Sequence, residues 1–94
     1  MAHVIVRHKV KDYQTWKTTF DNFADARKAA GEKSYQILHL DDNPNNVVGF
    51  MEFDSLENAR RFFDSSEVKE TMGNAGVIEQ PDIYFLEEYI HGIL

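Results

Sequence analysis

His8, Tyr13 and Trp16 stand close together near the start of this 94-residue chain. Imidazole exchanges protons near neutral pH, while a phenol and an indole offer flat faces and hydrogen-bond donors. Gathered around one cavity, the three could bind and polarise an aromatic or carbonyl-bearing ligand, with His8 as acid or base. His39 and Glu52 are further candidates for that cavity or its rim. Glu52 interrupts an otherwise apolar run, where a buried carboxyl would need a partner. The competing reading makes His8 a hydrogen-bonded core histidine, Trp16 packing and Glu52 an outward-facing strand residue.

Other chemistry is poorly represented. The chain has no cysteine, which excludes disulfides, thiolate nucleophiles and Cys-based metal sites. Its four histidines lack H-x-H or H-E-x-x-H spacing, and His3 and His91 lie near the ends, so neither a metal nor another cofactor is expected. No nucleophile elbow, phosphate-binding glycine loop or dinucleotide fingerprint is present. Glu87 and Glu88 are adjacent on a strand, point to opposite faces and cannot form a catalytic dyad.

The elements that would position these residues follow from periodicity. Residues 3–10 (HVIVRHKV) alternate Val4, Val6, His8 and Val10 against His3, Ile5, Arg7 and Lys9, as a strand requires. Asp12 is a good N-cap, and Tyr13, Trp16, Phe20, Phe23, Ala24 and Arg27 recur at helical spacing up to Gly31, predicting one helix over 13–30. Residues 34–40 read as a strand, 41–46 (DDNPNN) as a hairpin connection and 47–53 as another strand. Asp54 and Glu57 form a capping-box pattern ahead of a second helix bearing Leu56, Ala59, Phe62 and Phe63. Ser65 and Ser66 interrupt it, a short helical turn covers 67–72, and Pro81 introduces a last strand over 83–89.

The order is thus βαββαβ, with residues 1–94 as one domain. Two strand-helix units of this kind bury their apolar faces against a shared sheet. The expected fold is α+β and ferredoxin-like: four antiparallel strands in the order 4-1-3-2, with two helices on one face. Strands one, three and four carry apolar residues at both parities, as sheets covered on both sides do. A chain this short gains core from a second copy, so a homodimer packed on the helix-free face is expected. The apolar end, Ile90, Ile93 and Leu94, is expected to dock on that partner.

Charge narrows the choice of partners. The net charge is −6, yet residues 1–33 carry seven Lys/Arg against four Asp/Glu, whereas 34–94 carry three against twelve. An acidic surface repels phosphate backbones, and Arg7, Lys9 and Lys11 are too few and too local for a nucleic-acid footprint. The N-terminal cations could still attract a small anion. No apolar run approaches the roughly 20 residues of a membrane span, and no leader pattern is evident, so neither nucleic acid nor membrane is an expected partner and the default is a cytoplasmic protein.

The elements VIVRHKVKDYxxWKxxFD, DNPNxVVGFxEFDSxExARxF and SSEVKExMxxAGV resemble a group of small bacterial proteins in the dimeric α/β-barrel superfamily, over residues 4–86. That superfamily includes antibiotic-biosynthesis-monooxygenase-like and cyclase-like proteins. The Asn, Trp and His set of its haem-degrading branch does not carry over, because the first strand has no Asn and the single Trp16 lies in the first helix. The resemblance implies a cofactor-independent monooxygenase-like or cyclase/isomerase-like activity on a small aromatic or polyketide-like metabolite, with His8 catalytic and Tyr13, Trp16, His39 and Glu52 binding. The alternative is a non-catalytic ligand-binding or stress-related dimer.

Overall fold

A computed structural model describes residues 2–94. The elements run β1 (Ala2–Lys9), α1 (Tyr13–Asn22), α2 (Ala24–Ala29), β2 (Glu32–Leu40), β3 (Asn43–Phe53), α3 (Leu56–Asp64), α4 (Ser66–Asn74) and β4 (Asp82–Glu87). The strands form one antiparallel sheet in the order β2-β3-β1-β4, the 4-1-3-2 arrangement expected of βαββαβ connectivity. Each crossover contains two helices, so the expected architecture holds with finer segmentation.

The first break is local in origin. Thr18 and Thr19 donate their hydroxyls back to the carbonyls of Gln14 and Thr15 at 3.0 and 3.3 Å. Back-bonding of this kind bends helices, and the helix expected over 13–30 ends at Asn22 and restarts at Ala24. Asp12 caps α1 as expected, its Oδ2 accepting from the Thr15 amide at 2.9 Å. For α3 the cap is Ser55, whose Oγ accepts from the Asn58 amide at 3.1 Å, while Asp54 accepts from the Asn58 side chain. Glu57 pairs with Arg61 instead of closing a capping box. The short turn expected over 67–72 is the full helix α4, capped by Ser65, and the last strand ends at Glu87.

The hairpin is tighter than its composition implies. Only Asp41 and Asp42 turn, and β3 begins at Asn43. The register slips between His39 and Leu40, so that Leu40 pairs with Asn43 while His39 pairs with Val47. The irregular stretch contains Pro44, which has no amide to give to a regular ladder. Asn45, left out of that ladder, accepts from Val10 N with its carbonyl at 2.8 Å and from Tyr13 N with its side chain at 2.9 Å. The hairpin therefore anchors the start of α1 over the end of β1. Gly31 turns the chain from α2 into β2 at φ +111°, and a Cβ there would lie 2.5 Å from the Asp54 carboxylate. Both facts require glycine.

Register decides the faces. Val4, Val6 and His8 of β1 lie opposite Met51, Gly49 and Val47 of β3 on the side that receives the helices. Val4, Val6, Met51 and Phe53 pack there with Ala59, Phe62, Phe63 and Val68. A second cluster, Val10, Trp16, Val47 and Ala75, closes the other end of the layer. Among the described residues the opposite side of the sheet carries no helix, and it presents Ile5, Leu38, Val48, Phe50, Tyr84 and Leu86, with His3 stacked on Phe50 at 5.5 Å.

Candidate functional site

Between the sheet and the helices lies a small apolar cavity of about 60 Å³. Val6, His8, Gly49 and Met51 form its floor, Trp16, Phe20 and Phe23 one wall, and Phe62, Val68 and Met72 another. Gly49 is the position that leaves the floor open beside His8, since even a Cβ would come within 3.0 Å of the Met51 methyl.

His8 contributes an imidazole to this setting. β1 delivers it to the cavity because an even-numbered residue faces the helices, and it is buried. Neither ring nitrogen has a hydrogen-bond partner among the described residues. Burial lowers its pKa to about 4, because a low-dielectric surround disfavours imidazolium. At neutral pH the ring is uncharged, with one nitrogen lone pair available. Trp16 stands beside it, ring centres 5.4 Å apart and planes tilted by 48°, and stacks in turn on Phe20 at 5.0 Å. Orphaned polar atoms are uncommon in folded interiors, so two on one ring next to an apolar cavity mark a place where a ligand group can bond.

The five candidate residues divide three ways. His8 and Trp16 meet at the cavity. Tyr13 lies one layer out, half-buried and stacked on Trp16 at 6.1 Å, and His39 packs edge-on against Tyr13 at 5.9 Å with its Nδ1 on the Leu40 carbonyl. These two extend an aromatic row from the cavity to the surface and do not line it. Glu52 lies on the far side of the sheet: paired with His3 and Ser34, it has the parity of the helix-free face and cannot reach the cavity.

Sequence reasoning missed the most unusual polar feature of the site. Arg27 of α2 and Glu32 of β2 form a buried ion pair across the Gly31 turn. The guanidinium also donates to the Phe20 carbonyl at 3.2 Å and lies over the rings of Phe20 and Tyr35, 3.7 and 4.9 Å from their centres. Burial pushes the Glu32 carboxyl above the usual range, opposed by the pull of Arg27. Arg27 Nε and Glu32 Oε1 have no partner among the described residues. The only sequence signal was an arginine on the apolar side of a helix, a position that ordinarily exposes its head group.

Among the described residues no three His, Asp or Glu side chains converge as a metal site, and no helix is long and apolar enough to cross a membrane. No protein-family model matches the chain, and no curated protein matches its sequence. Solved structures match its architecture. The chain is similar to SnoaB, a cofactor-independent oxygenase from Streptomyces nogalater, with a TM-score of 0.77 at 12% identity over 96% of this chain and 94% of that one. It is similar to a structure described as an antibiotic biosynthesis monooxygenase (TM-score 0.73, 10% identity, 96% of this chain and 100% of that one). It is also similar to Rv0793 from Mycobacterium tuberculosis (TM-score 0.71, 15% identity, 98% of each chain). Likeness at such low identity speaks for the backbone, and on that ground the chain has the ferredoxin-like α+β fold of the antibiotic-biosynthesis-monooxygenase structures.

Proposed function

We propose that the chain is a small-molecule-binding protein that acts on a small aromatic or polyketide-like metabolite, in the manner of a cofactor-independent monooxygenase or a cyclase/isomerase. The observation that carries this reading is His8: a neutral, unpartnered imidazole facing an apolar cavity beside Trp16. A base whose pKa is about 4 is weak, but it is entirely in its free-base form at neutral pH. Proton transfer from an acidic hydroxyl or C–H of the substrate would leave imidazolium next to an anion, and their attraction at short range in a dry site offsets part of the cost of burying each charge. The electron-rich anion is the species that reacts with dioxygen in oxygenation or rearranges in cyclisation. Likeness to the oxygenase SnoaB supports the general kind.

A second reading rests on the size of the cavity. About 60 Å³ admits a few water-sized groups, because the protein's own aromatic rings occupy the rest. A non-catalytic ligand-binding or stress-related dimer suits a cavity so filled. Replacing His8 by Gln, which retains bulk and hydrogen bonding, separates the two. With a substrate found by screening aromatic metabolites for oxygen uptake, His8→Gln is expected to lower turnover about 10²-fold while binding changes little. Unchanged turnover would return His8 to a packing role.

Assembly as a homodimer is part of the same proposal. The helix-free face presents Leu38, Phe50, Tyr84 and Leu86, all partly exposed, and beyond β4 the tail leaves Ile90 and Ile93 85% and 95% exposed. Exposed apolar side chains gathered on one face of a sheet are characteristic of interfaces. Burying Ile90, Ile93 and Leu94 against a second copy contributes on the order of 4 to 6 kcal/mol before ordering costs. Deleting residues 90–94 is therefore expected to raise the dimer dissociation constant measured by sedimentation. A truncated chain that sediments and melts like the full chain would exclude a docked tail.

A further inference from the structure

Arg27 belongs to two cavities. One is the apolar pocket that holds His8; the other is an open surface cavity of about 620 Å³ between α2 and the start of β2. The inner pocket alone is too small for a ring system, whereas the outer cavity falls within the roughly 300 to 1,000 Å³ that ligand sites occupy. Arg27, paired with Glu32 and held over Phe20 and Tyr35, forms part of the wall of each.

Charge in the outer cavity is one-sided. Lys28 and Lys33 line it with Arg27, and its single acid, Glu32, is turned onto Arg27. The pair is also incompletely satisfied: Arg27 Nε retains a free donor although the side chain is almost wholly buried. A guanidinium has five N–H donors in a planar fork suited to a planar two-oxygen acid, and the half-exposed ring of Tyr35, which also lines the outer cavity, offers a surface beside it for an aromatic body.

We infer that Arg27 is the binding group for an acidic oxygen of the ligand: an aromatic acid occupies the outer cavity, its carboxylate takes the place of Glu32 on the guanidinium, and its ring lies against Tyr35. This goes beyond the reading of the His8 pocket by adding a second binding place and the class of ligand that it takes, an aromatic body bearing an anionic oxygen. Lys28 and Lys33 supply the attractive field at the mouth, which gives the cationic N-terminal third of the chain a purpose.

The test compares 2-naphthoate with the uncharged 2-acetylnaphthalene by titration calorimetry on the full chain. Glu32→Gln keeps a hydrogen bond to Arg27 but removes the competing charge, and it is expected to tighten 2-naphthoate binding about tenfold while 2-acetylnaphthalene changes less than about twofold. The paired replacement Arg27→Met with Glu32→Leu removes both charges together, which preserves folding better than loss of one. It is expected to weaken 2-naphthoate about tenfold or more and to spare 2-acetylnaphthalene. Binding of both probes with the same affinity ratio in all three proteins overturns the role of Arg27 and leaves the outer cavity standing as an aromatic site. Failure of both probes to bind any of them overturns the outer cavity as a ligand site, and the inference with it, while leaving the reading of His8 to its own test.

Discussion

Replacing Arg27 alone by methionine is expected to lower the free energy of unfolding by about 3 to 5 kcal/mol, the cost of leaving one member of a buried ion pair without the other. Glu32 is nearly inaccessible to water, and Arg27 is its only hydrogen-bonding partner among the described residues. Methionine preserves much of the volume over Phe20, so the loss reports charge more than packing. Taking up a proton is the one escape open to the stranded Glu32, whose carboxyl is already pushed above the usual range by burial, and the deficit should therefore shrink as pH is lowered. Arg27→Met combined with Glu32→Leu should recover most of the loss, since a well-packed apolar pair avoids the desolvation of two ions. Urea denaturation of the three proteins at one protein concentration makes the comparison, with concentration held constant because dimerisation would shift the midpoint. A loss below about 1 kcal/mol in the single variant would mean that the pair is solvated and contributes as surface pairs do.

The second large effect is a pH dependence carried by His8. Its pKa is about 4 in the folded protein against 6.5 when unperturbed. At pH 7 the ring is neutral in both states, and the histidine imposes no protonation penalty on folding. As pH falls through 6.5 the unfolded chain takes up a proton that the folded chain refuses, so stability declines with falling pH until the folded ring also protonates near 4. At 1.36 kcal/mol per pKa unit the whole loss is about 3 kcal/mol. Among the described residues no carboxylate lines the cavity, and the only other ionisable side chain there, Arg27, carries the same sign as imidazolium. Carboxylates elsewhere titrate over the same range, so the informative quantity is the difference between wild type and His8→Gln. Between pH 7 and pH 4 the wild type should lose about 3 kcal/mol more than the variant. Parallel stability curves would show that His8 is hydrated in the folded state.

The pairing of His8 with Trp16 is legible in the order of residues. Alternation in β1 puts His8 on the same face as Val4 and Val6, and the Asp12 cap phases α1 so that Trp16 packs back over it. Strand order follows from connectivity, because two βαβ units sharing a sheet leave few arrangements. These inferences rest on local periodicity and steric rules, which act within a few residues of where they are read.

The rest depends on groups distant in the chain. Glu52 is the plainest case: Val47, Gly49, Met51 and Phe53 have one parity and Val48, Phe50 and Glu52 the other, with apolar residues in both, so β3 read alone cannot say which side meets the helices. Its register against β1 settles that, placing Glu52 opposite His3 and away from the cavity. The hairpin hides its slip for a similar reason, since residues 41–46 all favour turns and only the ladder shows that Asp41 and Asp42 suffice. By sequence Arg27 is a helix residue and Glu32 an acid before a strand; each is ordinarily solvated. Burial becomes tolerable only where the chain reverses at Gly31 and brings opposite charges together beneath the rings of Phe20 and Tyr35. Amphipathic periods can be read along a chain, but the desolvation and mutual neutralisation of ions depend on what surrounds them in space.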